Sequence, residues 1–235
     1  MKIILPMAGN GQRFFDAGYD LPKPLISVKG KPMFQRVLDN LGITNKDEVH
    51  CIVRDEHCKN YSIHDQIQKY YPNAKIHVLM KMNEGACCTV LNAINPQNDT
   101  EFMVANCDQI QIWNRPQFNQ EAGGTIMTFT PNHNEPIHSY VKLNEEGHVI
   151  ELAEKRLISN IATTGVYHFG SEKDFHTAAW KMIDANDRTN NEFYLAPVYN
   201  YLNKPIETYH CDEFIGMGTP TELNDLKETE YYKAL

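Results

Sequence analysis

The first half of the chain alternates short apolar runs with segments in which apolar residues recur at helical spacing. The apolar runs have the length of β-strands and span residues 2–6, 48–53, 74–80 and 101–108. Residues 31–42 and 85–94 carry apolar and small residues at helical spacing, and Gly42 is a stop signal for the first of these helices. Regular alternation of strand and helix favours a largely parallel sheet.

Strand-like patterns dominate the second half. They occupy residues 123–130, 138–154, 161–169 and 205–211. The sequence "NEEG" at Asn144–Gly147 is typical of a hairpin turn. Helices are predicted at residues 171–186, 192–203 and 219–234, the last of them capped by Thr219. No Pro-, Gly- or Ser-rich linker separates the halves, so we predict one α/β domain, residues 1–235, with a β layer inserted over one side of the sheet.

Composition narrows the class of protein. The 235 residues carry a net charge of −8, which argues against a nucleic-acid partner because such proteins present a basic face. No run of 18 apolar residues occurs, so we expect no membrane partner. The first apolar run is too short, and too soon broken by Pro6 and Gly9, for a signal peptide. We therefore expect a cytoplasmic protein whose six cysteines are reduced.

One group of residues could bind zinc: His50, Cys51, His57 and Cys58. These pairs are adjacent in sequence, whereas structural zinc sites space their ligands by several residues. The simpler interpretation is a strand end followed by a loop, with the cysteines acting as small apolar residues.

The loop after the first strand, residues 7–24 or "MAGNGQRFFDAGYDLPKP", is the best candidate for a phosphate site. Gly9 and Gly11 permit close approach of backbone N–H groups to an oxyanion. Arg13 can form two parallel bonds to phosphate oxygens. Lys23 lies between two prolines that stiffen its backbone. The loop lacks the P-loop pattern, and a simple turn is the alternative.

Two further positions could carry chemistry. Asp108 follows the fourth strand, and ligands of parallel sheets lie beyond the carboxyl ends of the strands. A carboxylate there suits a Mg²⁺ ion bridging phosphates, although a turn aspartate would look the same. Glu154 and Lys155 end another strand, where the alternative is a surface charge pair.

Six blocks in order resemble the sugar-phosphate nucleotidyltransferases, also called nucleoside-diphosphate-sugar pyrophosphorylases. They are "PMAGNGQRF…PKPLISVKGKPM", "EGACCTVLNAI", "ANCD", "ELAEKRLISNIATTGVYHF", "NEFYL" and "GMGTPTELNDL", which together run from Ile3 to Leu226. The resemblance implies a Rossmann-like mixed, mainly parallel sheet flanked by helices, with the inserted β layer on the acceptor side. Residues 1–122 then form a nucleotide-binding half and residues 123–235 an acceptor-binding half. The implied reaction is attack of an acceptor phosphate on the α-phosphorus of a nucleoside triphosphate, with Mg²⁺, releasing pyrophosphate.

The resemblance also implies roles for individual residues. Those of the nucleotide site are Ala8, Gly9 and Gly11 at the triphosphate, and Glu84 and Gly85 at the base. The implied catalytic residues are Arg13 on the leaving pyrophosphate, Lys23 at the α-phosphate, and Asp108 as the metal ligand. The acceptor side would comprise Glu154, Lys155, Thr164 and Gly165.

One departure from the family pattern concerns the metal. Many members carry a second metal aspartate at the position of Gly216. Asp212 cannot replace it, because four strand residues at ~3.3 Å each separate the two by roughly 13 Å. Asp108 would then hold Mg²⁺ with phosphates and water, and a Gly216→Asp variant would tighten metal binding if the side chain has room. The β-helix of bifunctional relatives is absent, so no acetyltransferase activity is expected.

The substrates are less determined. The resemblance favours a pyrimidine nucleotide and a sugar 1-phosphate, in the synthesis of surface-polysaccharide (capsule) precursors. A cytidylyltransferase for a non-sugar phosphate, such as phosphocholine or phosphorylated glutamine, is an alternative. Two others are a nucleotide-binding relative without turnover, and a glycosyltransferase using Asn106 and Asp108 at the strand end.

Overall fold

The computed structural model describes residues 1–235 and contains thirteen strands. They are β1 (Lys2–Pro6), β2 (Ser27–Val28), β3 (Lys31–Pro32), β4 (Glu48–Arg54), β5 (Lys75–Leu79), β6 (Phe102–Ala105), β7 (Gln109–Ile112), β8 (Gly124–Phe129), β9 (Ser139–Leu143), β10 (Val149–Glu154), β11 (Ala162–Phe169), β12 (Ile206–His210) and β13 (Glu213–Gly216).

Eight α-helices and two 3-10 turns connect the strands. The helices are α1 (Gln12–Asp16), α2 (Met33–Asn40), α3 (Asp55–Tyr61), α4 (Ile63–Tyr70), α5 (Ala86–Leu91), α6 (Glu172–Asp184), α7 (Pro220–Leu226) and α8 (Glu230–Ala234). The 3-10 turns are Lys23–Leu25 and Ala196–Tyr201. None of the helices is long and apolar enough to cross a membrane.

Nine strands form one mixed sheet, which confirms the predicted α/β class. Its order is β10-β9-β11-β6-β1-β4-β5, and β8 joins β11 and β12 beside it. Strands β6, β1, β4 and β5 run parallel, whereas β11 is antiparallel to β6, β8 and β9. Residues 2–105 therefore contribute the four parallel strands β1, β4, β5 and β6, and the strands β8 to β12 extend the same sheet.

The two central parallel strands, β1 and β6, are largely apolar because both faces of the sheet are covered there. Ile3, Ile4 and Leu5 of β1 are all fully buried. Ile3 and Leu5 pack with α2 on one face, and Ile4 packs with α5 and α6 on the other. This is the pattern of a parallel strand at the centre of an α/β protein.

The structure differs from the predicted elements at three places. Residues 55–70 form α3 and α4, where we expected a loop. Residues 219–234 form two helices instead of one, since Thr229 ends the first and caps the second. The predicted helix at 192–203 is only a 3-10 turn.

A small two-stranded sheet lies apart from the main one. Strand β13 pairs with β7 so that Gly216 is opposite Gln109, the residue after Asp108. This pairing brings the chain around residue 216 to the end of β6.

Candidate active site

The loop after β1 presents open backbone at the carboxyl end of the sheet. Gly9 is exposed, and a Cβ atom there would meet nothing within 4 Å. Gly11 instead has a φ of 63°, and its Cβ would lie 3.3 Å from Cβ of Lys23. Only glycine adopts such a φ readily. Gly11 thus allows the chain to turn close to Lys23, whereas Gly9 leaves its backbone open to a ligand. Ala8 between them and the strand is buried.

Lys23 forms an ion pair with Asp108. Its Nζ donates a hydrogen bond of 2.7 Å to Oδ2 of Asp108, and both side chains are largely shielded from solvent. Burial alone would lower the pKa of Lys23, but the charge of Asp108 foremost, together with Cys107 and Glu222, raises it well above its ordinary value. Lys23 is therefore a fixed positive charge at any physiological pH.

Asp108 is held by the segment that follows β13. Its backbone carbonyl accepts a hydrogen bond of 2.8 Å from the N–H of Met217. A Cβ atom on Gly218 would lie 2.8 Å from Oδ2 of Asp108, so this position accommodates little more than glycine. Asp212 lies at the other end of the small sheet, where its N–H bonds to Ile112. The structure thus agrees with the expectation that Asp212 is not near Asp108.

A cavity of about 810 Å³ opens over these residues. Arg13, Lys23 and Lys155 line it from three different parts of the chain, together with Asp108 and Glu222. Three cations around two carboxylates, in a protein of net charge −8, form the local positive patch that a polyphosphate needs.

A smaller cavity of about 140 Å³ lies beside it. It is lined mainly by polar side chains: Asn106, Gln109, His138, Ser139, Glu154, Thr163, Tyr167 and Tyr194. Gln109, His138 and Tyr194 line the larger cavity as well, so the two cavities adjoin. Burial raises the pKa of Glu154, and a hydrogen bond from Ser139 partly offsets that effect.

Lys155 stands at the boundary between the two cavities. Its backbone has a φ of 50°, and its N–H bonds to the carbonyl of His138 at 2.9 Å. Its Nζ donates a 2.7 Å hydrogen bond to the hydroxyl of Tyr194 and lies 4.8 Å from that ring's centre. The strained turn directs this cation toward the larger cavity while Glu154 faces the smaller one.

Thr164 and Gly165 of β11 differ in their surroundings. Thr164 is fully buried and lines neither cavity, whereas its neighbour Thr163 lines the smaller one. Gly165 has a φ of 81°, and a Cβ atom there would lie 2.2 Å from the side-chain amide of Gln109. The glycine therefore makes room for Gln109, whose Oε1 is buried without a hydrogen-bond partner at the edge of both cavities.

Glu84 and Gly85 lie at the start of α5, outside both cavities. A Cβ atom on Gly85 would lie 2.5 Å from the carbonyl oxygen of Phe193, and the φ of Gly85 is 117°. The carbonyl of Glu84 accepts a 2.7 Å hydrogen bond from Phe193, and its carboxylate pairs with Arg188. The glycine thus lets the segment 84–87 pack closely against Phe193.

Comparison with known proteins decides the family. The nucleotidyl transferase family matches residues 1–202. The chain belongs to this family. This family agrees with the resemblance noted in the sequence, and the glycosyltransferase alternative is set aside.

Among curated proteins the nucleotidyltransferase is similar to "Bifunctional protein GlmU" of Methanocaldococcus jannaschii. The two are 27% identical over 173 residues, which is 72% of this chain and 40% of that protein. The protein of the same name from Saccharophagus degradans is 24% identical over 210 residues, 84% of this chain and 44% of its own length. The chain spans less than half the length of these curated relatives.

Solved structures support the same fold. The nucleoside-diphosphate-sugar pyrophosphorylase from Vibrio cholerae RC9 has a TM-score of 0.82 and 25% identity, covering 97% of this chain and 100% of that one. UDP-glucose pyrophosphorylase complexed with UDP-glucose has a TM-score of 0.72 at 16% identity, covering 100% and 99%. The inositol-1-phosphate CTP transferase from T. maritima has a TM-score of 0.70 at 12% identity, covering 97% and 96%.

The donors around Asp108 suit a hard cation. Asp108 and Glu222 supply carboxylate oxygens, and no group of three or more His, Cys, Asp or Glu side chains is placed to hold a metal ion. Mg²⁺ prefers oxygen and is commonly held by one or two carboxylates with phosphates and water. These residues fit Mg²⁺ better than zinc, for which the group at His50 and Cys58 offers no assembled site.

Sequence reasoning missed several residues that line the cavities, among them Gln109, Thr163, Tyr194 and Glu222. Gln109 could have been noticed, since it directly follows Asp108. Glu222 ends a Thr-x-x-Glu sequence, which is typical of a capping box and so predicts a structural role for this residue. Thr163 and Tyr194 carry no signal of their own.

Proposed function

We propose that this nucleotidyltransferase moves a pyrimidine nucleoside monophosphate from its triphosphate to a sugar 1-phosphate and releases pyrophosphate. The observation that carries the proposal is the meeting of Arg13, Lys23 and Lys155 with Asp108 at one cavity. Three solved relatives are named for pyrimidine nucleotides: a UDP-glucose pyrophosphorylase, a CTP transferase and a putative thymidylyltransferase. A cytoplasmic role in capsule precursor synthesis rests on the sequence resemblance alone.

The residues that line the larger cavity contact different phosphate groups of the two substrates. Lys155, beside the smaller cavity, holds the acceptor phosphate, whose oxygen is ionised at neutral pH and needs no general base. That oxygen forms a bond to the α-phosphorus while the bond between the α-phosphorus and its bridging oxygen to the β-phosphate breaks. Arg13 binds the departing pyrophosphate, and Lys23 neutralises charge that develops at the α-phosphate. When bound, Mg²⁺ on Asp108 would supply further charge neutralisation.

Binding of the triphosphate requires an exchange of partners at Lys23. Its ammonium is paired with Asp108 at 2.7 Å, so it must turn toward the phosphates while Asp108 gains another cation. The exchange keeps every charge paired and costs little, because no buried ion is left alone.

The lining of the smaller cavity favours a hydroxyl-bearing acceptor. Glu154, Gln109, Ser139 and Thr163 offer both hydrogen-bond donors and acceptors in a space of about 140 Å³.

A phosphocholine-like acceptor remains the second candidate on one observation. A third cavity of about 700 Å³ shares Ile137 and His138 with the acceptor side and is lined by the rings of Phe129 and Phe214 and by Asp212 and Glu213. Phe129 and Phe214 stack with centroids 4.2 Å apart. Aromatic faces and carboxylates together bind quaternary ammonium groups.

Pyrophosphate release from a panel of substrates tests the proposal. Each of the four common nucleoside triphosphates is mixed with glucose 1-phosphate, galactose 1-phosphate, inositol 1-phosphate or phosphocholine, in the presence of Mg²⁺. We expect release that requires both a pyrimidine triphosphate and a sugar phosphate. Release with phosphocholine as the acceptor, and not with any sugar phosphate, would support the second candidate. Nucleotide binding without release for any pair would identify a binding protein without turnover.

A further inference from the structure

Glu222 does not complete the capping motif in which its sequence places it. It is the third residue of α7, and its N–H donates a 3.1 Å hydrogen bond to Oγ1 of the cap residue Thr219. In a complete capping box the glutamate carboxylate returns to the N–H of the cap residue. No such bond forms here, and the Thr219 hydroxyl provides the side-chain cap at this end of the helix. The direction of the Glu222 side chain therefore needs another explanation.

Two glycines make room for this carboxylate. A Cβ atom on Gly216 would lie 2.7 Å from Oε1 of Glu222, and one on Gly218 would lie 3.4 Å from Oε2. The same point on Gly218 is 2.8 Å from Oδ2 of Asp108. Neither glycine has a φ in the left-handed region, so a side chain at either position would be limited by the neighbouring carboxylates and not by the backbone. The Asp108 and Glu222 carboxylates both reach the small volume over Gly218.

One cation, Lys23, already compensates the two carboxylates in part. Lys23 bonds Asp108, and the charge of Glu222 acts on Lys23 as well. Once Lys23 turns toward a bound triphosphate, two carboxylates remain side by side without a cation. Two negative charges so close together repel each other, and this repulsion costs free energy unless a cation binds between them.

We propose that Glu222 is the second carboxylate that holds the divalent cation, reaching from α7 across Gly216 to stand beside Asp108. The proposal rests on the proposed function, because the cation arrives with the triphosphate. It also explains the missing aspartate: an aspartate at 216 and a glutamate at 222 would compete for the same space. On this proposal Gly216→Asp alone brings no gain in metal binding, because its side chain would meet the Glu222 carboxylate.

Mn²⁺ binding measured by electron paramagnetic resonance tests the proposal without turnover. The probe is Mn²⁺ with the α,β-methylene analogues of the four nucleoside triphosphates, for the wild type and for Glu222→Gln, Asp108→Asn and Asp225→Asn. Asp225 is an exposed residue about one turn further along α7 and is the matched control. We expect Mn²⁺ affinity in the ternary complex to fall at least about tenfold for Glu222→Gln, since loss of even an outer-shell partner costs 10–100-fold. The control should be unchanged.

A carboxylate swap separates a ligand from a mere support of the fold. Gly216→Asp alone should weaken Mn²⁺ binding because it displaces Glu222. Gly216→Asp combined with Glu222→Ala should restore most of the affinity lost in Glu222→Ala. Unchanged Mn²⁺ affinity in Glu222→Gln, with a loss in Asp108→Asn, would overturn the role of Glu222 and leave the proposed function standing. Failure of the wild type to bind any analogue would overturn the proposed function itself.

Discussion

The ion pair of Lys23 and Asp108 keeps both groups charged and ordered before any substrate arrives. At 2.7 Å each ion is the other's partner, and both are largely shielded from water. Because the pair is ordered in advance, phosphate binding has only to exchange the partner of Lys23 from Asp108 to the phosphates, and charges ordered in this way are effective in electrostatic stabilisation.

Replacing Lys23 tests its catalytic role. We predict that Lys23→Ala lowers turnover at least ~100-fold, because one electrostatic contact is worth about 2.7 kcal/mol in the transition state. The measurement is the rate of pyrophosphate release at saturating substrates. Lys59→Ala, which changes an exposed lysine of α3, is the control. Turnover near the wild-type rate in Lys23→Ala would reduce the loop to a structural role.

Gly9 and Gly11 are nearby glycines of one loop whose surroundings differ. A Cβ atom is free of neighbours at Gly9 but crowded and in a left-handed backbone at Gly11. We predict that Gly11→Ala lowers the free energy of unfolding by about 1–3 kcal/mol, whereas Gly9→Ala changes it by less than about 0.5 kcal/mol. Urea denaturation measures both.

The same pair separates stability from binding. Gly9→Ala should weaken binding of the triphosphate analogue although its fold is intact, because the methyl group covers open backbone N–H groups. Equal nucleotide affinity in the wild type and Gly9→Ala would show that the triphosphate does not approach this residue.

Among the elements, β11 shows how strand alternation selects the residues of a site. Thr163 and Tyr167 line the smaller cavity and bond each other at 2.9 Å, while Thr164 between them is fully buried. We predict that Thr163→Val raises KM for the acceptor about tenfold, the value of one hydrogen bond of about 1.4 kcal/mol. Thr164→Val should leave KM unchanged and affect only stability. The opposite pattern would restore the sequence-based choice of Thr164.

The strands were predictable and the short helices were not, for a physical reason. Buried parallel strands contain continuous apolar runs, such as residues 3–5 in β1 and 51–53 in β4, and this pattern identifies them in the sequence. Helices α3 and α4 are seven and eight residues long, and Ser62 with a φ of 48° breaks the periodicity between them. At that length tertiary packing decides, and the local pattern is too weak to indicate it.

The site was predictable only where chain topology alone brings residues together. Asp108 and the loop of Lys23 both follow neighbouring parallel strands, so they meet at one edge of the sheet. The position of Glu222 depends instead on the pairing of β13 with β7 and on two glycines that have no side chain to obstruct it. A glycine does not indicate in the sequence which residue will occupy the space that its absent side chain leaves.

At the scale of the whole molecule, buried and half-buried histidines make stability depend on pH. Burial lowers the pKa of His50, His57, His77 and His168, and it lowers that of His138 to about 4 with help from His133. The folded protein therefore keeps them neutral, while the unfolded chain takes up protons below a pH of about 6.5. Stability from these groups is complete above that pH and is lost as the pH falls toward 4.

Thermal unfolding between pH 4 and 7.5 measures this effect. We predict that Tm falls as the pH decreases through this range, and that His138→Gln makes the decrease shallower. His148→Gln, at an exposed position beside the hairpin turn, should leave the slope unchanged. A wild-type Tm that stays level from pH 7 to 4.5 would contradict the prediction.

The pairing of β13 with β7 also has a consequence in time. All nine strands of the main sheet are contained in the chain up to His210, whereas Gly216, Gly218 and Glu222 follow later. Chains emerge from the ribosome N-terminus first, and contacts across more than a hundred residues form slowly. The sheet can thus be built before the pocket over Asp108 closes. During synthesis or refolding, a nearly complete protein should acquire its secondary structure first and its affinity for nucleotide last.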